Sequence, residues 1–285
     1  MNETSFSQEH PAVPVLDLPV TFIGGGNMAS AIIGGLIRQG LDATRIDVVE
    51  PFEEARARLA QQFGVSAQPA VGSFLSRAAV VVWAVKPQTF REAAAPVAPL
   101  APRALHLSVA AGISSDSISG WLGTGRIVRA MPNTPALVGQ GMTGLFARAE
   151  VNQADRDLIE ILLRPTGRTS WVDAEKQLDA VTALSGSGPA YVFYFLEAMV
   201  QAGVDMGLPA AQARELSIAT FQGASHLAAV STDALEDMRA RVTSKGGTTH
   251  AALVAMEAAG MKAGFQAALH AAAKRAGELG EEFGG

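Results

Sequence analysis

The sequence contains no cysteine among its 285 residues. This absence excludes disulfides, thiolate nucleophiles, iron–sulfur clusters and cysteine-bound zinc. Long apolar runs are also absent, because residues 78–85 and 189–196 are much shorter than the roughly 20 residues that a membrane-spanning helix needs. Basic residues are scattered and the net charge is −5. We therefore expect small-molecule ligands, with no nucleic-acid partner and no membrane association.

The five histidines show no paired metal-ligand spacing, so we predict no metal site. Residues 1–17 mix polar residues with two prolines and lack the basic start and apolar core of a secretion signal. We interpret residues 1–17 as a disordered tail and predict a cytoplasmic protein.

The 48% hydrophobic content supports buried cores, and the pattern changes once along the chain. In residues 18–172, short β-branched runs alternate with helical patterns, which is typical of βαβ units. This part is predicted to be a Rossmann-type, doubly wound parallel sheet in an α/β protein. The predicted strands are residues 20–23, 46–49, 80–85, 105–109, 127–130, 143–147 and 169–172, and the predicted helices are residues 28–39, 52–63, 88–96 and 155–163.

Residues 173–285 are rich in alanine, leucine and methionine and have no strand-like runs, so they predict an all-helical second domain. Several of its helices are apolar around most of their circumference, which requires burial on every side. About 110 residues cannot enclose them alone, so we expect at least a homodimer. The predicted helices are residues 175–184, 189–206, 209–230, 233–242, 249–259 and 262–278.

A G-x-G-x-x-A motif follows the first predicted strand and opens a helix. Gly24 allows a tight turn, Gly26 allows the backbone to approach a pyrophosphate, and Ala29 allows close helix–strand packing. The motif therefore predicts a dinucleotide site. The alternative is a glycine-rich turn without a ligand.

Glu50 ends the second predicted strand, where an acidic residue usually bonds the adenosine ribose, and this favours NADH. Arg56 lies one to two helical turns further on and could accept the 2′-phosphate of NADPH. The alternative for Glu50 is a solvated turn before Pro51.

Two more loops follow strands at the edge where such sheets bind ligands. Pro87 after Lys86 fixes the backbone φ and directs the chain across the cofactor. Asn133, between two prolines, presents an amide that suits a nicotinamide or substrate contact. An ordinary exposed lysine and a simple asparagine turn are the alternatives.

The segment from Ser244 to Thr249, with the sequence SKGGTT, places two glycines and two threonines at a predicted helix start. Its unpaired backbone N–H groups suit a small carboxylate, and Thr249 is our candidate for a hydroxyl that contacts the same small ligand. Ser185 and Ser187, in the sequence SGSGP, would form a second polar wall. Helix capping by Thr249 and a helix–helix hinge at SGSGP are the alternatives.

Together, the segments FIGGGNMA, AVKPQ, SVAAGIS, RAMPNTPALV, DAVTALSGSGPAYVF and RVTSKGGTTHAAL resemble the pyrroline-5-carboxylate reductase family, in the family's order, from residue 20 to about residue 277. The resemblance implies reduction of 1-pyrroline-5-carboxylate to L-proline with NADPH or NADH, in a homodimer or a ring of dimers. It implies cofactor contacts from Gly24, Gly26, Asn27, Met28, Ala29, Lys86, Pro87, Ala110 and Asn133. It implies substrate contacts from Ser244, Gly246, Gly247, Thr248 and Thr249, with Thr249 as the catalytic residue.

Two other functions are weighed against this one. A hydroxy-acid dehydrogenase would need a basic side chain, often a lysine of the helical domain, but no lysine lies between Lys176 and Lys245. A nucleotide-sensing protein without turnover is the second alternative. Oxidation of reduced cofactor on addition of pyrroline-5-carboxylate separates all three.

Overall fold

The computed structural model describes residues 17–283, in which the chain forms two compact units. The first unit comprises the described residues up to Gly186 together with those from Ala276 onward, and the second comprises Ser187–Arg275. The predicted tail, residues 1–17, lies outside the described residues except for Asp17.

The first unit contains an eight-stranded sheet with the order β3-β2-β1-β4-β5-β6-β7-β8. Every neighbouring pair is parallel except β6 with β7, which is antiparallel. This arrangement confirms the predicted α/β, doubly wound class. The strands are β1 Val20–Ile23, β2 Ile46–Val49, β3 Ala67–Gln68, β4 Val80–Trp83, β5 Leu105–Ser108, β6 Ile127–Met131, β7 Gly141–Ala147 and β8 Gly167–Trp171.

The central strands are apolar on both faces because helices cover both sides of the sheet. In β4, Val80 and Val82 belong to one core cluster, whereas Val81 and Trp83 belong to the other. All four of these residues are fully buried. The run VVVW is therefore a strand whose alternate residues face opposite layers.

Among its described residues, the first unit contains six whole α-helices, of which one was not predicted from the sequence pattern. Predicted and observed bounds agree within about two residues for the others. The helices are α1 Asn27–Arg38, α2 Glu53–Phe63, α3 Pro87–Val97, α4 Ser115–Leu122, α5 Gln153–Leu163 and α6 Gln177–Val181, and α6 continues as a π-helical turn, Thr182–Gly186. The strand β3 and the helix α4 were not predicted. β3 has only two residues, and α4 has three serines and a glycine among its eight residues.

Local end signals explain several helix bounds. Asn152 and Asp155 form a reciprocal capping box at the start of α5. Gly64 ends α2 in the left-handed conformation with φ 67°. The predicted strand at residues 80–85 is too long, since β4 ends at Trp83.

The second unit is entirely helical and has very little core of its own. Its helices are α7 Gly188–Asp205, α8 Ala210–Val230, α9 Leu235–Arg241 and α10 Thr248–Ala258. The helix α11, Met261–Phe283, belongs to the second unit as far as Arg275. Among its described residues, only Gly203, Ala213 and Ser217 are buried. A Cβ on Gly203 would lie 2.9 Å from Ala213 Cβ, so α7 and α8 cross closely at this glycine. Large apolar side chains such as Tyr194 are left 70% exposed.

The serines of SGSGP do not cap α7. Ser187 occupies the N-cap position, but its side chain makes no capping hydrogen bond, and its backbone is already in the right-handed helical region. Pro189 lies in the first turn, as predicted. No helix within residues 17–283 has the length and apolar character needed to cross a membrane.

His106 is a buried polar residue in β5 that the sequence analysis did not single out. Its side chain is 1% exposed, and its Nδ1 accepts a hydrogen bond from Trp83 Nε1 at 3.1 Å. Burial lowers the pKa of His106 from 6.5 to about 4, and Arg126 adds to the decrease, while a hydrogen bond with the Ala101 backbone opposes it. The imidazole is therefore neutral in the folded protein at neutral pH.

This neutral histidine predicts an acid-sensitive fold. Below pH 6.5 the unfolded chain binds a proton that the folded chain excludes until about pH 4, so stability decreases as the pH falls through this window. The full effect is about 3 kcal/mol. Urea unfolding at pH 7 and pH 4.5 should show a smaller acid-induced loss for His106→Gln than for the wild type. His226→Gln, at an exposed position, is the control, and equal acid losses in all three proteins would contradict the assignment.

Candidate functional site

Gly24 lies where the sheet order reverses, between β1 and β4. Its φ is 97°, and a Cβ there would lie 2.5 Å from the carbonyl oxygen of Ala84. Its N–H donates to the Val49 carbonyl at 2.8 Å. Only glycine fits this position, because both the conformation and the contact exclude a side chain. The loop after β1 is thereby held at the crevice where open α/β sheets bind ligands.

The start of α1 is suited to an anion. Gly26 is the N-cap and offers no side-chain cap, and a Cβ on it would meet nothing within 4 Å. The N–H groups of Gly26, Asn27 and Met28 have no acceptor among the described residues. Ala29, fully buried, packs the helix against the sheet. Open space in front of free N–H groups at a helix start fits a dinucleotide pyrophosphate.

Glu50 does not lie in a solvated turn, so that alternative is wrong. Its side chain is 6% exposed. Its Oε2 accepts the Gly25 N–H at 2.8 Å and its Oε1 accepts the Phe52 N–H at 3.0 Å. Arg56 Nη1 donates to the backbone carbonyls of Glu50 and Pro51 at 2.9 and 2.6 Å. Contact of Glu50 with a ribose, or of Arg56 with a 2′-phosphate, stays a prediction.

The other predicted cofactor residues follow the carboxyl ends of adjacent parallel strands. Lys86 is exposed, makes no ion pair within residues 17–283, and precedes Pro87 at the first position of α3. Ala110 is 5% exposed and follows β5. Since β1, β4 and β5 are parallel neighbours, these loops lie at the same edge of the sheet as the glycine loop.

Asn133 holds two segments of the first unit together. Its Oδ1 accepts the Met142 N–H at 2.9 Å, while its Nδ2 donates to the carbonyl oxygen and the Oγ of Ser185 at 3.1 and 3.3 Å. The amide thus joins the end of β6 to the π-helical turn, a form of helix that is frequent at functional sites. Direct cofactor contact by Asn133, and substrate contact by Ser185 and Ser187, stay predictions.

Sequence reasoning missed an ion network at the junction before α6. Glu175 Oε1 accepts hydrogen bonds from the Ser115 N–H at 2.6 Å and from Arg129 Nη1 at 2.7 Å, and Oε2 accepts from Ser115 Oγ at 2.6 Å. Nearby, burial raises the pKa of Asp179 although Arg129 opposes the increase. No local sequence pattern predicts these contacts, because Ser115 and Arg129 are 60 and 46 residues from Glu175 in the sequence.

The SKGGTT segment of the second unit forms a helix start that resembles the one after the glycine loop. Gly246 has φ 75°, and Gly247 is the N-cap of α10 without a side-chain cap. The positive φ of Gly246 favours glycine there, and a Cβ on Gly247 would lie 2.6 Å from Ser244 Oγ, so the Ser244 side chain would have to move to admit one.

The backbone N–H groups of Thr248 and Thr249 and both threonine hydroxyls have no partner among the described residues. The alternative that Thr249 caps the helix is therefore wrong, since its hydroxyl makes no capping bond. A turn with free N–H groups and hydroxyls can bind a small carboxylate. Within residues 17–283, no group of three acidic or histidine side chains could hold a metal ion.

Comparison with known proteins identifies the family. Residues 175–279 match a family model described as pyrroline-5-carboxylate reductase dimerisation, and residues 19–112 match one described as NADP oxidoreductase, coenzyme F420-dependent. The chain is 43% identical over 267 residues to the pyrroline-5-carboxylate reductase of Pseudomonas aeruginosa, covering 93% of this chain and 98% of that protein. The chain belongs to the pyrroline-5-carboxylate reductase family. The resemblance seen in the sequence motifs is confirmed.

Relatives across bacteria and solved structures agree with this assignment. The Haemophilus influenzae pyrroline-5-carboxylate reductase is 43% identical, over 91% of this chain and 97% of that protein. The structure of the Coxiella burnetii enzyme is similar with a TM-score of 0.87 at 38% identity, over 93% of this chain and 99% of that one. The Plasmodium falciparum enzyme with NADP bound has a TM-score of 0.84 at 25% identity, over 94% and 100% of the two chains.

The open space at Gly26 gives a direct test of the dinucleotide site. In Gly26→Val the new side chain would meet no protein atom within 4 Å of its Cβ, so the fold should survive. It would instead occupy the space of the pyrophosphate, so affinity for NADH and NADPH should fall by about 100-fold or more. Titration calorimetry measures the affinity. Gly120→Val, at an equally open position on α4, should bind both cofactors normally. Normal binding by Gly26→Val would refute the assignment of the loop.

Proposed function

We propose that the chain reduces 1-pyrroline-5-carboxylate to L-proline with NADPH or NADH, the last step of proline biosynthesis. The observation that carries the proposal is 43% identity to a pyrroline-5-carboxylate reductase over 93% of the chain. Each of the two family models covers one side of the proposed site. The oxidoreductase model spans the glycine loop, and the dimerisation model spans the SKGGTT segment.

The substrate side rests on the start of α10. The free N–H groups of Thr248 and Thr249, and the helix dipole behind them, would hold the carboxylate. Gly246 and Gly247 leave the approach to these N–H groups clear, and Ser244 borders the turn. Ser185 and Ser187 belong to the proposed site as a second polar wall.

The cofactor side rests on the loops at the carboxyl edge of the sheet. The free N–H groups at the start of α1 would bind the pyrophosphate, and the exposed Lys86 ammonium would add charge attraction. The full proposed set is Gly24, Gly26, Asn27, Met28, Ala29, Glu50, Lys86, Pro87, Ala110 and Asn133. When bound, a reduced nicotinamide cofactor supplies the hydride for this reaction.

The residues of the chain act mainly by orienting the reactants. A protonated cyclic imine accepts hydride at carbon with little acid–base help, so no general base is required of the protein. The N–H groups of α10 would fix the carboxylate, and the Thr249 hydroxyl would fix the ring nitrogen.

The second unit acts in assembly as well. Its helices α9 and α10 have no buried residue, and Phe193 and Tyr194 of α7 are 58% and 70% exposed. Such faces are stable in water only when another chain covers them. We propose a homodimer that assembles further into a ring of dimers, a cytoplasmic location, and a functional division between residues 18–172 and 173–285.

One assay separates this function from the two alternatives. Purified protein with NADPH or NADH should lose absorbance at the nicotinamide band when pyrroline-5-carboxylate is added. A hydroxy-acid dehydrogenase would respond to keto acids instead, and a nucleotide sensor would bind cofactor without turnover. Absence of turnover with pyrroline-5-carboxylate and both cofactors would refute the proposal.

Thr249 is the residue whose hydroxyl the mechanism needs. Thr249→Ala should lower kcat/KM for the imine by about 10- to 100-fold, the loss expected for one positioned hydrogen bond. Cofactor Kd should change little, because Thr249 lies outside the dinucleotide-binding unit. Thr249→Ser keeps the hydroxyl and is the matched control. Native kcat/KM in Thr249→Ala would remove Thr249 from the mechanism.

Assembly can be measured independently of activity. Light scattering at micromolar concentration should give a mass of at least twice 29.5 kDa. Phe193→Asp should shift the protein towards the monomer, because a charge in a covered apolar face costs several kcal/mol. Leu137→Asp, at a 52% exposed position of the first unit, should leave the mass unchanged. A stable, active wild-type monomer would contradict the dimer.

A further inference from the structure

The carboxylate of Glu50 is buried and has no cationic partner within residues 17–283. It follows β2, is 6% exposed, and takes part in no ion pair among the described residues. Its two oxygens accept the N–H groups of Gly25 and Phe52 at 2.8 and 3.0 Å. The negative charge is therefore stabilised by hydrogen bonds from peptide N–H groups. Hydrogen bonds to an ionised acceptor are shorter and stronger than those between neutral groups.

Arg58 of α2 binds the other side of the same glycine. Its Nη2 donates to the carbonyl oxygen of Gly25 at 3.3 Å. Both peptide groups of Gly25 are thus bonded to side chains from the segment that follows β2. A Cβ on Gly25 would lie 2.7 Å from Leu59 Cδ1 and 3.3 Å from Glu50 Oε2, so the loop rests directly on this segment.

Gly25 is the residue between the two glycines of the G-x-G motif, so its orientation sets that of the free N–H of Gly26 and of the start of α1. With the hydrogen bond from Gly25 to Glu50 in place, these N–H groups are held ready before a ligand arrives. Preorganised donors bind an anion more tightly than donors that must be ordered on binding.

We propose that Glu50 is a positioning residue that locks the glycine loop in its pyrophosphate-binding conformation, rather than the residue that reads the ribose. The proposal rests on the dinucleotide site of the proposed function. Its consequence is specific, because the pyrophosphate is common to NADH and NADPH, whereas the ribose 2′ substituent differs between them. Loss of Glu50 should therefore weaken both cofactors by the same factor.

Cofactor affinity separates positioning from ribose recognition. Glu50→Gln should raise the Kd of NADH and of NADPH by about 10-fold each, as for loss of one charge-assisted hydrogen bond. The ratio of the two Kd values should stay within about two-fold of the wild type. A ribose ligand would instead lose NADH and spare or improve NADPH, and a ratio shifted by about ten-fold towards NADPH would overturn the proposal.

Hydrogen exchange in the absence of cofactor provides a second measurement. Peptides covering residues 20–30 should take up deuterium faster in Glu50→Gln than in the wild type, because a glutamine has one uncharged acceptor oxygen and cannot accept both the Gly25 and the Phe52 N–H groups. Glu53→Gln, the same change at an exposed residue of α2, should alter neither exchange nor affinity. Unchanged exchange in Glu50→Gln would also overturn the proposal, even if the wild type proved to bind no dinucleotide.

A second variant covers the case in which Glu50→Gln fails to fold. Arg58 is exposed, so Arg58→Gln should fold normally and remove only the bond to the Gly25 carbonyl. We expect about a three-fold weaker Kd for both cofactors, since the bond is long and solvent-accessible. A loss confined to NADPH would show that Arg58 reads the 2′-phosphate, and it would contradict the assignment of this segment to the glycine loop.

Discussion

The contact between Gly24 and the end of β4 is the constraint on which the first unit depends. A Cβ on Gly24 would be 2.5 Å from the Ala84 carbonyl oxygen, so the chain leaves β1 in direct contact with its neighbour. This contact occurs where the sheet order reverses and the connecting helices pass to opposite faces. The loops after β4, β5 and β6 lie at the same edge of the sheet as the glycine loop, because these strands are parallel to β1. One close backbone approach thus determines where the ligand-binding edge lies.

The second unit has no comparable internal constraint, because its helices pack little against one another. Its helices bury only three residues within the unit, although their sequences are strongly apolar. Stability proportional to buried apolar area cannot come from such a unit alone. Residues 175–279 match a family model described as dimerisation. This match indicates that a second chain covers the exposed apolar surface. Folding of this part and association are therefore expected to be coupled.

Much of the fold could be predicted from sequence because its signals are local. The strands β1 and β2 have the predicted bounds, since both are short runs rich in β-branched residues, VTFI and IDVV. The strand β3 was not predicted because two residues are too few to show an alternating pattern. The helix α4 was not predicted because its serines favour turns and helix caps as much as a helix interior. The helical character of the second unit was predicted from its alanine-, leucine- and methionine-rich composition and its lack of strand-like runs, which are also local properties.

In the candidate site, too, local features could be predicted from the sequence and long-range contacts could not. Both uncapped helix starts, after Gly26 and after Gly247, were readable because the glycines and the free N–H groups lie within six residues of one another. The bonds from Glu50 to Gly25, from Asn133 to Ser185 and from Glu175 to Ser115 were not readable, because their partners are 25, 52 and 60 positions apart. These long-range bonds hold the loops, whereas the short motifs offer N–H groups to ligands. Sequence motifs thus identify the groups that would touch ligands, and the structure is needed to identify the side chains that hold those groups in place.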